Sequence, residues 1–349
     1  MREAAMRNFE CDSSYERDLK EFSEQILEKT GIYSPAGQRE IMCLADNGNL
    51  AALKLNADLI YYKKILRKDP YREAFQLYLE SAGLTPDEKE GFTSKKSGYP
   101  LSWWILGYYL VNYKRDSLLK NCETIESIER MSSTLRLSTA LSLAASCIRY
   151  VDAPGALNLI GRILAEASRG EEIFTALQPV IKDSLKVPCD NAEQCSALSE
   201  EYFTQAAEKG YIYAANNLAA KEAERILSLS EEEENGELKT HLERYIRYLK
   251  LSADKYEPYA ANRLGLFYMN GEIRNDNTKK GFREYVDFAL AKQYFQKATK
   301  YPDANSAWAY FNLIKYFHKD YDKNIELLNE HMDYIRILNP EIYDLAIEL

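Results

Sequence analysis

The stretch GYPLSWWILGYYL at residues 98–110 contains no charged side chain and holds two tryptophans and three tyrosines. Its skeleton is Gly98, then the small residue Ser102 four positions later, then the pair Leu106-Gly107. The aromatic rings could form a platform for a ligand, or they could pack neighbouring helices against each other. Whether the skeleton recurs along the chain decides between these two interpretations.

The same skeleton recurs at five other places in the 349-residue chain. The other copies begin at residues 48, 152, 210, 256 and 303, and the last of them is the weakest match. Six copies at intervals of about 50 residues indicate an internal repeat. Where two helices cross closely, only Gly, Ala or Ser at the crossing point lets the backbones approach. The skeleton therefore predicts repeated helix crossings.

Each repeat also contains a second segment, whose apolar residues recur with the period of an amphipathic helix. In DPYREAFQLYLESAG (69–83), Tyr71, Phe75 and Tyr78 fall on one helical face, and HLERYIRYLKLSAD (241–254) has a similar pattern. Segments with alternating apolar and polar residues are almost absent, so strands are expected to contribute little. The predicted fold class is all-α, built from antiparallel helix pairs.

Composition excludes several classes of function. The chain carries 45 Lys+Arg against 54 Asp+Glu, a formal net charge of −9, which disfavours a nucleic-acid partner because phosphate contact needs a basic face. No apolar run reaches the length of a membrane span, and the polar N-terminus lacks a secretory signal. We therefore expect a cytoplasmic protein without a membrane partner. In that setting all six cysteines are predicted to be free thiols: Cys11, Cys43, Cys122, Cys147, Cys189 and Cys195.

Two segments carry a resemblance to a known family. QAAEKGYIYAANNLAA (205–220) and AANRLGLFYMNG (260–271) resemble the Sel-1-like repeat, a relative of the tetratricopeptide repeat. Trp103, followed by Leu106-Gly107, is similar to the tetratricopeptide signature. The resemblance covers about residues 40–317 and implies a right-handed α-solenoid of stacked helix pairs that acts as a protein-interaction scaffold. The intervals exceed the tetratricopeptide period of about 34 residues, so enlarged loops are expected.

The predicted domain organisation has three parts: an N-terminal capping helix region at 1–40, an array of about six helix pairs at 41–320, and C-terminal capping helices at 321–349. Two inserts, at 85–98 and at the acidic run SEEEENGE (230–237), enlarge the loops. The segment 112–200 is irregular, and its part at 112–150 is expected to hold an additional helix or helix pair.

The first helix of each pair lines the concave groove in tetratricopeptide-like solenoids, and the resemblance places the candidate binding residues there. Asn158, Asn216 and Asn262 occupy the same repeat position, where an amide can hold the backbone of an extended peptide. The alternative, that these asparagines cap or bridge adjacent helices, stays open at this point. Trp103 is expected to pack between repeats. The candidate groove residues are Trp104, Tyr108, Asn112, Asn158, Arg162, Tyr213, Asn216, Tyr259 and Asn262.

Patterns that would indicate an enzyme are missing from the sequence. The three histidines do not have metal-ligand spacing, and neither a Gly-rich phosphate loop nor a nucleophile elbow is present. The sequence predicts a non-enzymatic scaffold without cofactor or metal, which binds a peptide or protein segment. Two alternatives remain: an enzyme or small-molecule sensor with a pocket in 112–200, and a regulatory or assembly subunit that uses its convex face.

Overall fold

The computed structural model of the protein describes residues 34–62, 65, 67, 70–94, 97–112, 126–229, 236–275, 277–301, 303, 305–322 and 324–349. Most of the capping helix region predicted at 1–40 and most of the acidic run at 230–237 lie outside these ranges. The described part is mostly helical, with sixteen α-helices and two small antiparallel sheets of two strands each. The all-α class is therefore confirmed, and strands contribute little, as expected.

Contacts divide the chain into two compact units, Met1–Ala206 (unit 1) and Ala207–Leu349 (unit 2). Each unit has buried apolar clusters of its own. In unit 1 the largest cluster is centred on Trp103 and Phe75, and in unit 2 it is centred on Phe267 and Phe295. The two units are considered separately below.

Unit 1 contains helix pairs and a hairpin. The helix Leu50–Tyr61 packs on Pro70–Ala82, and Pro100–Val111 packs on Ser133–Ile148. The helix Ser133–Ile148 also contacts Pro154–Ala167 and Glu171–Leu185. The hairpin pairs Leu84 with Ser94, so much of the insert predicted at 85–98 is a β-hairpin rather than an irregular loop. The described elements are α1 (Pro35–Asp46), α2 (Leu50–Tyr61), α3 (Pro70–Ala82), β1 (Leu84–Asp87), β2 (Gly91–Ser94), α4 (Pro100–Val111), α5 (Glu126–Arg130), α6 (Ser133–Ile148), α7 (Pro154–Ala167), α8 (Glu171–Leu185) and α9 (Ala192–Glu208).

Unit 2 has a more regular order. Helix α10 packs on α11, α12 on α13 and α14 on α15, and successive pairs are joined by α11–α12 and α13–α14 contacts. Asn339 ends α15 and caps α16, whose first residue is Pro340, a residue well suited to that position. The described elements are α10 (Ile212–Ser228), α11 (Glu237–Ala253), α12 (Pro258–Asn270), β3 (Glu272–Arg274), β4 (Lys279–Gly281), α13 (Phe288–Ala298), α14 (Ser306–Tyr316), α15 (Ile325–Leu338) and α16 (Pro340–Ile347), with 3₁₀ turns at Arg283–Tyr285 and His318–Asp320.

All six copies of the repeated skeleton open a helix. Helices α2, α4, α7, α10, α12 and α14 begin two or three residues after the start of each copy. The small residue at the fourth step has no exposed surface in any copy, as the close approach of two helices requires. These six residues are Ala52, Ser102, Ala156, Ala214, Ala260 and Ala307.

Glycines in the skeleton lie where another helix crosses at short range. A Cβ atom on Gly161 would stand 2.7 Å from the Phe203 ring of α9, and one on Gly265 would stand 2.5 Å from the Phe295 ring of α13. In both cases an aromatic ring of another helix fills the space of the missing side chain. A larger residue at either glycine has to displace a buried ring.

A buried serine ties the helix pair together in both units. Ser81 Oγ near the end of α3 donates to the first-residue carbonyl of α2 at 2.7 Å, and Ser252 Oγ near the end of α11 does the same to α10, also at 2.7 Å. The serine carbonyls in turn accept the backbone N–H of Tyr99 and of Glu257, which precede the next first helix. Two repeats in different units therefore share one hydrogen-bond arrangement.

The expectation of free thiols is wrong at Cys189 and Cys195, which form a disulfide. The chain leaves α8 through the left-handed residue Lys186 and turns back into α9. This turn brings the two Cα atoms to 5.9 Å, within the usual range for a disulfide. Cys43 and Cys147 are free, as expected, and the remaining two cysteines lie outside the described residues.

Candidate functional site

Three of the five candidate residues in unit 1 lie together at the end of α4. Arg162 Nη2 on α7 donates to Asn112 Oδ1 at 2.8 Å, and Asn112 Nδ2 donates to the Tyr108 carbonyl oxygen at 2.7 Å. The Arg162 guanidinium lies 5.8 Å from the centre of the Tyr108 ring, in the range of a cation–π contact. Asn112 is buried and caps α4. We call Tyr108, Asn112 and Arg162 the unit 1 cluster. Its polar groups bond to each other and join α4 to α7.

The other two candidate residues of unit 1, Trp104 and Asn158, are half-buried and buried respectively. The Trp104 ring lies against Gly155, the second residue of α7. Trp103 is fully buried, and its Nε1 donates to the Ala82 carbonyl oxygen at 3.1 Å, which confirms the packing role predicted for it.

In unit 2 the candidate asparagines bridge adjacent elements. Asn216 Nδ2 donates to Glu257 Oε2 at 2.9 Å, and the same carboxylate caps α12 by accepting the backbone N–H of Ala260. Asn312 Nδ2 on α14 donates to Asn262 Oδ1 on α12 at 2.9 Å. The bridging alternative is thus confirmed for Asn216 and Asn262. Whether they also hold a peptide stays a prediction.

The two candidate tyrosines of unit 2 are the most open of the nine residues. Tyr213 is 52% exposed and Tyr259 is 42% exposed. Both are the second residue of a first helix, α10 and α12 respectively, and the asparagine of the repeat position follows three residues later. Along this face, a tyrosine and an asparagine therefore stand one helical turn apart in both repeats.

A pocket of about 290 Å³ opens beside Tyr259 and Asn262. It lies between the first turns of α12 and the beginning of α14, and Trp308, 44% exposed, forms one side of it. We call it the α12–α14 pocket. Its lining residues are Tyr259, Asn262, Arg263, Leu266, Asn305 and Trp308.

Arg263 contributes the only cationic side chain among the lining residues of this pocket. It donates to the hydroxyl of Tyr245 on α11. Burial raises the pKa of Tyr245, although Arg263 partly offsets the rise, and the phenol therefore stays neutral at physiological pH. Tyr245 does not neutralise the arginine.

The sequence did not single out Arg263, Leu266, Asn305 or Trp308. The repeat position that selects Asn262 on α12 passes over Arg263, the next residue. No candidate groove residue falls in the sixth copy, whose match to the skeleton is weak. A signal was nevertheless present, because Trp308 follows the buried Ala307 directly and thus lies off the packed face of α14.

Two of the three histidines lie within hydrogen-bonding distance of one side chain each. His241 Nδ1 lies 2.6 Å from Glu222 Oε2, and His331 Nδ1 lies 2.8 Å from the Tyr321 hydroxyl. Within the described ranges, no group of three or more His, Cys, Asp or Glu side chains could hold a metal ion. Within the same ranges, no helix has both the length and the apolar character needed to cross a membrane. The cytoplasmic localisation stays a prediction.

Comparison with known proteins adds no family name. The chain matches no protein-family model, and no curated protein is similar to it in sequence.

Proposed function

We propose that this chain is a non-enzymatic scaffold of Sel-1-like, tetratricopeptide-like repeats, stacked as a right-handed α-solenoid, and that it binds a peptide or protein segment with its first helices. One observation carries the binding proposal. Tyr259 and Asn262, two of the candidate groove residues, line an open pocket together with the exposed ring of Trp308. The six buried small residues and the shared serine hydrogen bonds support the repeat assignment.

The chemistry of the α12–α14 pocket suits a peptide. Tyr259 and Trp308 offer rigid aromatic surface with few rotatable bonds, so contact costs little conformational entropy. Tryptophan, tyrosine and arginine are also the residues that most often dominate binding energy at protein interfaces. Asn305 and Asn262 line the same opening with amide groups, which can bond to a peptide main chain. An apolar side chain and its flanking backbone are the groups that such a lining can hold.

Selection from a display library of short random peptides against the full chain tests this proposal. Peptides enriched by the wild type are expected to lose at least about tenfold in affinity on Trp308→Ala or Tyr259→Ala, because removing an aromatic hot spot costs about 2 kcal/mol or more. Phe288→Ala is the matched control, since Phe288 is an exposed aromatic of unit 2 that does not line the pocket. The Phe288→Ala variant should bind the enriched peptides as tightly as the wild type does.

Two results contradict the proposal. If no peptide is enriched, the chain does not act by binding linear segments. If peptides are enriched but Trp308→Ala and Tyr259→Ala bind them as tightly as the wild type, another surface is used, as in the convex-face alternative. Helical circular dichroism of each variant excludes unfolding as the cause of a loss.

A further inference from the structure

Arg263 is a half-buried cation that donates a hydrogen bond to the Tyr245 hydroxyl and interacts electrostatically with Tyr259. Among the described residues, no Asp or Glu carboxylate lies within ion-pairing distance of it, although the chain carries 54 acidic side chains. Charges removed from water are usually paired, because desolvation is costly. A guanidinium at the edge of an open pocket, with no carboxylate partner among the described residues, is therefore a site that an anion from outside can bind.

The rest of the lining limits what that anion can be. A nucleic acid or another polyphosphate needs several cations to bind, and this pocket has one, on a chain of net charge −9. Trp308, Tyr259 and Leu266 add apolar surface next to the guanidinium. A ligand that fits must join one negative charge to one large apolar group. An acidic residue with an apolar neighbour in a peptide has this composition.

We propose that the α12–α14 pocket binds an acidic peptide segment, with an Asp or Glu carboxylate on Arg263 and a neighbouring large apolar side chain between Tyr259 and Trp308. This proposal rests on the proposed function and adds the class of peptide. The planar guanidinium can donate two parallel hydrogen bonds to one carboxylate, a geometry that a lysine does not offer. Arg263 is then the residue that determines specificity, while the aromatic rings provide contact area.

The test compares peptide selection by three forms of the full chain, with a display library of short random peptides as the probe. The wild type is expected to enrich Asp and Glu beside a large apolar residue. Arg263→Gln should enrich peptides without that acidic preference. Arg247→Gln is the matched control, because Arg247 is an exposed arginine of unit 2 that lies over the Tyr248 ring and not in the pocket. It should select the same acidic peptides as the wild type.

Titration of one selected peptide, and of its analogue with Asn or Gln in place of the acidic residue, gives the size of the effect. The acidic peptide should bind the wild type at least about tenfold more tightly, because a charge-assisted hydrogen bond is about twice as strong as a neutral one. The difference should vanish in Arg263→Gln and shrink in Arg263→Lys, which keeps the charge but loses the paired donors. It should also weaken as salt is added.

The outcomes separate this inference from the proposed function. If the enriched peptides are not acidic but still need Trp308 and Tyr259, the acidic-peptide inference is overturned and the scaffold function stands. If Arg263→Gln still prefers acidic peptides, the inference is also overturned, because another cation then binds the acidic residue. If no enriched peptide depends on Trp308 or Tyr259, both proposals fall. Arg263→Lys guards against a result caused by misfolding, because it retains a cation at the same position.

Discussion

The two units use an arginine beside a tyrosine in opposite ways. In unit 1, Arg162 bonds to the buried amide of Asn112 and lies over the Tyr108 ring, so its donors serve the fold. In unit 2, Arg263 donates to the Tyr245 hydroxyl of α11 and also borders an open pocket. The same pair of residue types thus only joins two helices in one unit and also lines an open pocket in the other.

The difference shows that residue type and repeat position do not by themselves identify a binding site. Tyr108 and Arg162 fit the predicted groove as well as Tyr259 does, yet the unit 1 cluster satisfies its own hydrogen bonds. What separates the two places is that the polar groups of the unit 1 cluster bond to each other, whereas Arg263 borders an open pocket. Four predictions, from the largest expected effect to the smallest, test this comparison and the repeat packing beneath it.

The largest effect is expected at the glycines that both units share. Gly161→Val and Gly265→Val should each lower the free energy of unfolding by about 2 kcal/mol or more, because the new side chain overlaps the ring of Phe203 or Phe295. Gly281→Val is the control, since the space around Gly281 is open. Urea unfolding curves measure the loss. Equal stability of all three variants and the wild type would contradict the packing described here.

Replacing the two arginines tests the comparison itself. Arg162→Gln should lower the free energy of unfolding by about 1–3 kcal/mol, because the buried Oδ1 of Asn112 loses its charged donor. Arg263→Gln should change it by less than half as much, since Arg263 is only half-buried and its hydrogen-bond partner, the Tyr245 hydroxyl, is neutral. Both are measured in urea with the wild type alongside. If Arg263→Gln proves the more destabilising variant, the two arginines do not have the roles assigned to them.

A smaller effect is expected at the serines that join the helix pairs. Ser81→Ala and Ser252→Ala should each cost about 1 kcal/mol or somewhat more, because a helix carbonyl loses its buried donor; Ser81→Ala also removes the hydrogen bond to the Ser102 hydroxyl. Ser228→Ala is the control, as that serine is exposed and bonds only within its own helix. Thermal unfolding of the variants compares them. A loss in one unit without a loss in the other would mean that the two repeats are not equivalent.

The smallest effect is a pH dependence from His331. Burial lowers the pKa of His331, and the charge of Glu330 only partly opposes this. The folded-state pKa therefore lies below the unfolded value of about 6.5, so the unfolded chain takes up the proton first and stability falls as pH drops through 6.5 towards the folded pKa.

His331→Phe tests that dependence, because it keeps an aromatic ring against Tyr310 and removes the titrating group. Between about pH 7.5 and about pH 5.5, around the ordinary histidine pKa, the wild type should lose more thermal stability than the variant. If thermal stability falls equally with pH in the two proteins, His331 contributes nothing to the pH dependence of stability. The comparison is made in one buffer series at constant salt, since other carboxylates titrate nearby.

The helix pairs could be predicted from the sequence because their signal is local. The small residues of the skeleton are set by backbone approach, which leaves little choice of residue type, and all six copies proved to open helices.

The candidate site could be predicted only in part because its geometry depends on distant residues. The bonds between Arg162 and Asn112, and between Asn312 and Asn262, each join residues 50 positions apart on different helices. A repeat pattern in the sequence does not predict which residue of another helix an asparagine amide will bond to. The pairing of Cys189 with Cys195 likewise depends on how the chain turns between α8 and α9, rather than on spacing alone.

Hydrogen–deuterium exchange of the full chain with and without a selected peptide tests the central claim most directly. The account predicts slower amide exchange in α12 and in the first turns of α14 when the peptide is bound, with the unit 1 cluster at the end of α4 unchanged. Slower exchange in α4 and α7 with no change in α12 and α14 would contradict it.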